Sequence, residues 1–389
     1  MSLHTMSGKV AIAGIGVAGL GEAHGFTEAE ILAQAAVKAV ADAGLTMQDI
    51  DGLATASSSA TMWAMPVAEY LGIRPTFIES SMLGGSSFLA HLLPAILALE
   101  SGQCNAVLVC YGSTQRTATF GRKEGVKARA LLDPQPFEQP YSPLSPITSY
   151  ALAAARHMHE FGTTRRQLAE VAVAARKWAQ LNPEAMMRDE LSIDDVLSAR
   201  MISDPLSTRD CCLVTDGAGA YVLVRSDRAK DLPQKPIYVQ GNATAVWNRQ
   251  ISSMHDLTTT AAAESGKRAL DMARITLADI DVVELYDAFT INTILFLEDL
   301  GFCKKGEGGA FVENGGIAPG GRLPVNTNGG GLSCIHPGMY GIFLLIEAVR
   351  QLRGTCGERQ IANAERALVH GNGGTLSSQS TAILGIHPN

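Results

Sequence analysis

Residues 43–51, AGLTMQDID, and residues 273–281, ARITLADID, are one phrase written twice. The offset is 230, five of the nine positions are identical, and two more are conservative exchanges. Each copy starts where an apolar helical pattern ends and stops where a short strand-like run begins. The echo spreads outward: segment 85–102 aligns with 337–354, and Val107-Leu108-Val109 aligns with Ala367-Leu368-Val369. A chain that repeats strand–helix–strand units in one order is a duplicated α/β fold, two similar halves side by side. The duplication sets two helix entrances, at Ser86 and near His336, in equivalent places where they can face one ligand.

Local patterns fill in the halves. KVAIAGIG, residues 9–16, is a buried strand that ends in glycines. Gly14, Gly16 and Gly19 have a GxGxxG-like spacing, but a lone match without an acidic strand end predicts no dinucleotide turn. A helix is expected over 27–43, with Thr27 as N-cap, Glu30 as its capping-box partner and Gly44 as terminator. Further strands are expected at 51–56, 77–81, 106–112, 218–224 and from 236. The helix over 89–99 carries Pro94 as an irregularity. From 113 to 210, proline-rich stretches such as 131–146 alternate with helical ones. That insertion is longer than an ordinary connection and is expected to shape a binding site. The expected division is 1–112 completed by 211–233 as the first half, 113–210 inserted, and 234–389 as the second half.

Composition narrows the function. With 46% hydrophobic and 18% charged residues the chain reads as a soluble globular enzyme. A formal charge of −7 argues against nucleic acid or an anionic membrane as the main partner. No apolar run reaches the length of a membrane span, and the opening MSLHTMSGKV reads as a short leader without signal-peptide character. Seven cysteines without CxxC spacing read as reduced thiols in a cytoplasmic protein, with no disulfide framework and no metal site.

The chemistry-bearing residues collect in a few segments. NTNGGGLSCIHPGMY, residues 326–340, precedes the apolar helical run GIFLLIEAVRQL. A proline ahead of such a run predicts a helix start, with His336 and Tyr340 at its N-terminus among outward amides suited to an anionic or polarised ligand. Tyr340 is expected on the same helical face as His336, four residues on. Cys334 reads as a small buried thiol. The other segments are GGSSF at 84–88, YDAF at 286–289 on a strand end, and HGNGG at 370–374 on another.

On these residues the C-terminal half resembles the thiolase superfamily along nearly its whole length. Asn326, Asn328, Gly329, Gly330, His336 and Pro337 match the family's asparagine–glycine and His-Pro pattern. YDAF stands at the family's Asn- or His-led motif, and HGNGG stands at its closing cysteine loop, with His370 in register with the cysteine base. The resemblance implies a duplicated thiolase fold: two βαβαβαββ halves in a layered αβαβα sandwich with an inserted loop domain. It also implies a homodimer paired through the strand at 106–112. The acylated cysteine of the first-half helix falls at Gly85 or Ser86, and no cysteine precedes Cys104. A serine hydroxyl is a poor nucleophile without a nearby base, so cysteine-dependent thiolysis is not expected. The pattern looks like the thiolase-like aldolases of steroid side-chain breakdown, which cleave β-hydroxyacyl-CoA esters with a small zinc-containing DUF35 OB-fold partner.

The expected chemistry is therefore retro-aldol or aldol reaction on an acyl-CoA. Coenzyme A enters as part of the substrate, and no bound cofactor is expected. The candidate catalytic residues are His336, Tyr286, Tyr340, His370 and Ser86, with Gly85, Asn328, Gly330 and Gly373 lining the substrate. His336 is expected to polarise the thioester carbonyl, while either tyrosine could be the base. Two alternatives stand beside this: an acyltransferase with a substituted nucleophile, and a non-catalytic acyl-CoA or lipid binder.

Overall fold

The computed structural model describes residues 3–120 and 138–388, so residues 131–137 of the proline-rich stretch lie outside the described ones. The strands are β1 (Val10–Gly21), β2 (Gly52–Thr55), β3 (Phe77–Glu79), β4 (Ala106–Ser113), β5 (Met201–Ser203), β6 (Leu206–Ser207), β7 (Asp216–Arg225), β8 (Ile237–Val246), β9 (Val282–Leu285), β10 (Arg366–Gly373) and β11 (Ser378–Gly385). Nine of them run in the order β3-β2-β4-β7-β1-β8-β11-β10-β9, and β5 with β6 forms a separate ribbon.

Two copies of one pattern are visible in that order. In the first half β2 lies parallel to β4, which lies antiparallel to β7, which lies antiparallel to β1. In the second half β9, β10, β11 and β8 repeat the same sequence of directions. The halves join where Ala11 and Ile12 of β1 meet Tyr238 and Ile237 of β8.

The repeated phrase folds identically down to its hydrogen bonds. Thr46 and Thr276 each cap a short 3-10 turn, and each backbone N–H donates at 2.8 Å to the aspartate three residues on, Asp49 or Asp279. The next aspartate then receives two amides from the start of the parallel neighbouring strand. Asp51 takes those of Asn105 and Ala106, and Asp281 takes those of Glu365 and Arg366. A short sequence repeat has therefore preserved a capping and strand-docking device in both halves.

Helices lie on both faces. Glu28–Asp42, with Thr27 and Glu30 forming the expected capping box, covers the outer face of the first half, and Ala262–Ala273 covers that of the second. The helices Leu92–Glu100 and Gly341–Arg353 sit between, in the large apolar core shared by the halves. Pro94 falls in the first turn of Leu92–Glu100, where its missing N–H has no intrahelical partner to lose. The glycines of β1 have a packing purpose rather than a nucleotide one. A Cβ on Gly14 would lie 2.1 Å from the Ala39 carbonyl oxygen, and one on Gly16 2.3 Å from that of Ala35. Helix Glu28–Asp42 can lie on the strand only because those side chains are absent. Gly241 of β8 meets Ala269 in the same way at 2.1 Å.

The expected dimer strand needs correction. Residues 106–112 belong to β4, which is hydrogen-bonded by β2 on one side and β7 on the other, so it offers no edge to a second copy. The open edge of the first half is β3.

The insertion presses on the second half. Helix Arg165–Gln180 lies against the π-helical turn Gly330–Cys334, and Met186 and Met187 donate amide bonds to the carbonyls of Cys334 and Ser333 at 3.1 and 3.0 Å. Trp178 Nε1 donates to the Ile317 carbonyl at 2.9 Å. No helix among the described residues is long and apolar enough to cross a membrane.

Candidate active site

The loop that carries His336 leads into the helix the sequence suggested, with Tyr340 as its N-cap, but His336 itself is not on the helical terminus. Helix Gly341–Arg353 starts five residues later, and residues 335–339 are irregular, turned by Gly338 at φ +89°. A side chain there would be strained by that φ and would sit 2.7 Å from Gln115. His336 and Tyr340 still come together, because the turn folds their rings over each other: the centroids are 5.9 Å apart at 28°. Tyr286, at the end of β9, stands edge-on to both, 5.5 Å from His336 and 5.9 Å from Tyr340.

Two tyrosine hydroxyls hold this loop in place. Tyr286 Oη donates to the Gly338 carbonyl at 3.0 Å and accepts the Tyr340 amide at 3.2 Å. One residue earlier the same device recurs: Tyr111 Oη donates to the Pro337 carbonyl and accepts the Met339 amide at 3.2 Å. The amides expected to face a ligand at this helix entrance are thus spent on phenols from β4 and β9. The His336 amide donates to Thr215 Oγ1 at 3.0 Å, and the Thr215 amide returns a bond to the His336 carbonyl at 3.3 Å.

Within this frame the His336 side chain keeps one free atom. Its Nε2 is buried without a hydrogen-bond partner among the described residues. Burial pushes its pKa down to about 4, so the imidazole is neutral at physiological pH. Tyr340 Oη donates to Asn328 Oδ1 at 3.1 Å, and the same oxygen accepts the Gly330 amide at 2.8 Å. Burial raises the pKa of both Tyr286 and Tyr340 well above the ordinary phenol value.

The first-half turn lies directly below. A Cβ on Gly85 would fall 2.1 Å from Tyr286 Cε2 and 2.6 Å from the Asn372 carbonyl oxygen. The phenol ring fills the space that a side chain at position 85 would need. Ser86 is fully buried, and its Oγ meets the Leu83 carbonyl at 2.9 Å and Ser378 Oγ at 2.7 Å. Neither partner is a base. Gly373 closes the same corner, where a Cβ would lie 1.6 Å from the Leu83 carbonyl oxygen.

His370 stands apart from the aromatic trio. Its Nδ1 pairs with Thr381 Oγ1 at 2.8 Å and its Nε2 with Gln379 Oε1 at 2.9 Å. Its ring packs on Phe296, and burial lowers its pKa to about 4. Only its carbonyl reaches the site, accepting the Tyr286 amide at 3.0 Å.

Several site neighbours carried no role in the sequence reading. Asp287, second residue of YDAF, is fully buried and accepts the amides of Gly331 and Leu332 at 2.6 and 3.2 Å. Burial raises its pKa to about 7, against the lowering effect of those amides. Gly330, at φ +64°, lets the turn close on this carboxylate, since a Cβ would lie 2.0 Å from Asp287 Oδ2. Tyr150 arrives from the insertion. Its Oη donates to the Gly374 carbonyl at 3.1 Å and accepts Asn372 Nδ2 at 3.0 Å. Asp287 was within reach through its motif. Tyr111 and Tyr150 were hidden inside strand and helix patterns that read as core.

Comparison with known proteins agrees with this geometry. Residues 243–386 match the family described as Thiolase C-terminal domain-like. An acetyl-CoA acetyltransferase of Methanothermobacter thermautotrophicus is 34% identical, covering 96% of this chain and 98% of that protein. The 17-hydroxy-3-oxo-4-pregnene-20-carboxyl-CoA lyase of Mycobacterium tuberculosis is 36% identical, covering 98% of this chain and 100% of that one. The solved structure named Ltp2-ChsH2(DUF35) aldolase superposes with a TM-score of 0.88 at 32% identity, over 98% of both chains. A duplicated fold with the thiolase strand order, a retained asparagine–glycine and His-Pro loop, and full-length identity to such proteins place this chain in the thiolase superfamily, to which it belongs.

Proposed function

We propose that this chain is a carbon–carbon lyase that cleaves a β-hydroxyacyl-CoA by retro-aldol chemistry, or runs the same step in the aldol direction. The observation that carries the reading is the ring of Tyr286 standing over Gly85, where a covalent mechanism needs its nucleophile. Cys334 is no substitute: its thiol is buried, its pKa is pushed up by burial, and Asn182 Nδ2 lies 3.5 Å from it. An acyltransferase is named among the relatives, but an acyl-enzyme through Ser86 has no base to accept the hydroxyl proton.

Retro-aldol cleavage needs no acylated residue. A base removes the β-hydroxyl proton, the Cα–Cβ bond breaks, and its electron pair moves into a thioester enolate while the β-carbon leaves as a carbonyl. The enolate carbon then takes a proton to give the shortened acyl-CoA. The proposed assignment gives His336 Nε2, in its neutral N–H form, the thioester oxygen as it gains charge. Tyr286 and Tyr340 handle the protons once the ligand competes for their hydroxyls, which hold the Gly338 carbonyl and Asn328 Oδ1 in the free chain, and Asp287 with Gly330 sets the loop. Gly85 and Gly373 act by letting the Tyr286 ring and the Leu83 carbonyl pack close behind the ligand. Ser86 and His370 fit supporting positions behind the site better than catalytic ones, given their committed partners.

A small DUF35-type OB-fold partner is part of the proposal, supported by the DUF35 component in the name of the solved aldolase above. Homodimer formation through the β3 edge is also proposed, supported by the exposed Ile78, Met82 and Leu97 (51%, 45% and 47%). Seven free thiols suit a cytoplasmic location. The test is incubation of the chain, alone and with its co-purified partner, with a panel of β-hydroxyacyl-CoA esters. Release of ketone or aldehyde with a shortened acyl-CoA is expected. Thiolysis of a β-ketoacyl-CoA with an acyl adduct on Ser86 would replace this reading by the acyltransferase one.

A further inference from the structure

One buried cation near the site has no carboxylate in ion-pair contact among the described residues. Arg176, on helix Arg165–Gln180, is 4% exposed. Its Nε donates to Ser333 Oγ at 3.0 Å and its Nη1 to the Asp189 carbonyl oxygen at 2.9 Å. Among the described residues no carboxylate oxygen lies within 4.0 Å of the guanidinium, and Nη2 has no hydrogen-bond partner. Burial and the neighbouring charge of Arg209 both disfavour its charged form, and the Asp189 carboxylate only partly offsets them. A mostly buried guanidinium whose hydrogen-bond acceptors are neutral is a place where an anion is stabilised.

The guanidinium borders a cavity of about 30 Å³. Arg176, Arg209, Thr208, Ser333 and Cys211 supply its polar wall, closed by leucines, and no carboxylate lines it. Thr208 and Arg209 are exposed, so the cavity opens to solvent at their rim. Ser333 Oγ accepts from Arg176, which leaves its own O–H free to donate. The space suits one or two water-sized particles. It is too small for a phosphate carried on an ester chain.

We propose that this cavity binds one small inorganic anion of halide size, held between Arg176 and Arg209 with Thr208 and Ser333 as hydroxyl donors. Ser333 belongs to the turn Gly330–Cys334, whose Gly331 and Leu332 amides fix Asp287. The ion therefore ties the inserted helix to the loop that frames the active site. The proposal is independent of which reaction the site performs.

The full chain is melted in sodium chloride or bromide and in sodium gluconate of equal ionic strength, gluconate being too large to enter. Tm is expected to rise by about 2 °C, saturably, between about 5 and 200 mM halide, with no matching rise in gluconate. Crystals soaked in bromide should show an anomalous peak within hydrogen-bond reach of Arg176. Arg209→Gln should weaken the halide response about tenfold, and Arg176→Met should abolish it. If Arg176→Met fails to fold, the bromide peak and Arg209→Gln still decide. Equal melting in halide and gluconate, with no peak at Arg176, overturns the proposal. So does loss of the bromide peak on adding coenzyme A, which would assign the arginines to a phosphate of the substrate.

Discussion

The two glycine-led helix entrances occupy equivalent places in the repeat and have opposite characters. At the first, every hydroxyl is spent: Ser86 binds the Leu83 carbonyl and Ser378, and Ser87 accepts the Leu83 amide while donating to the Gly84 carbonyl at 2.8 Å. At the second, the backbone is saturated by Tyr286 and Tyr111, yet His336 Nε2 has no partner among the described residues. Symmetry of fold has not preserved symmetry of chemistry. A buried polar atom without a partner costs about 1–3 kcal/mol, so the place that tolerates one is the place where a ligand group is expected to meet it.

The sharpest way to break the comparison is to remove the two groups of the second entrance. His336→Ala and Tyr286→Phe are each expected to lower kcat/KM about 10²–10⁴-fold for carbon–carbon cleavage, read by product release. Tyr286→Phe should also lose about 1–3 kcal/mol of stability, since the Tyr340 amide loses its acceptor. If both variants keep wild-type turnover, the chemistry lies elsewhere.

Gly85→Ala comes next. Its methyl group must displace the Tyr286 ring, at a cost of about 1–3 kcal/mol by denaturant unfolding. Adding Tyr286→Ala to the same chain should make the double variant more stable than the sum of the single losses predicts, by about 1 kcal/mol or more. Simple additivity would mean that the ring does not hold that space.

Acid exposes another difference. His336 and His370 each take up a proton near 6.5 when unfolded and only near 4 when folded. At these two positions the unfolded chain therefore binds more protons between those values, and their contribution to stability falls as pH drops from about 6.5 toward 4. Each histidine contributes about 1.4 kcal/mol per pH unit in that window and nothing further above it. Asp287, raised to about 7 when folded, works in the opposite sense over the same range, so the histidine contribution is read as a difference: urea midpoints should lose less between pH 7 and pH 4.5 in His370→Gln than in the unsubstituted chain.

Ser86→Ala should do least. A loss of about 1–2 kcal/mol of stability and less than tenfold in turnover is expected, because the hydroxyl is a buried structural group. A loss of several orders of magnitude in turnover would restore it as a nucleophile.

The order of strands in the sheet came from the structure, whereas the sequence by itself determined the duplication, the succession of strands and helices in each half and the helix start after the His336 loop. Those rest on local rules: Thr46 and Thr276 cap the same turn because capping is settled within three residues, and glycine patterns report backbone needs directly. The helix start after Tyr340 was legible, but the helical phase expected between His336 and Tyr340 is not what the chain adopts. The helix-like spacing is produced by an irregular turn at Gly338, which sequence period alone does not distinguish from a helix. Tertiary structure decided what each side chain is free to do. Ser86 is silenced by Ser378, 292 positions away, and Tyr111 clamps Pro337 across 226. Whether a hydroxyl is reactive or structural depends on which partners packing brings within about 3 Å. Residue type and local spacing do not carry that information.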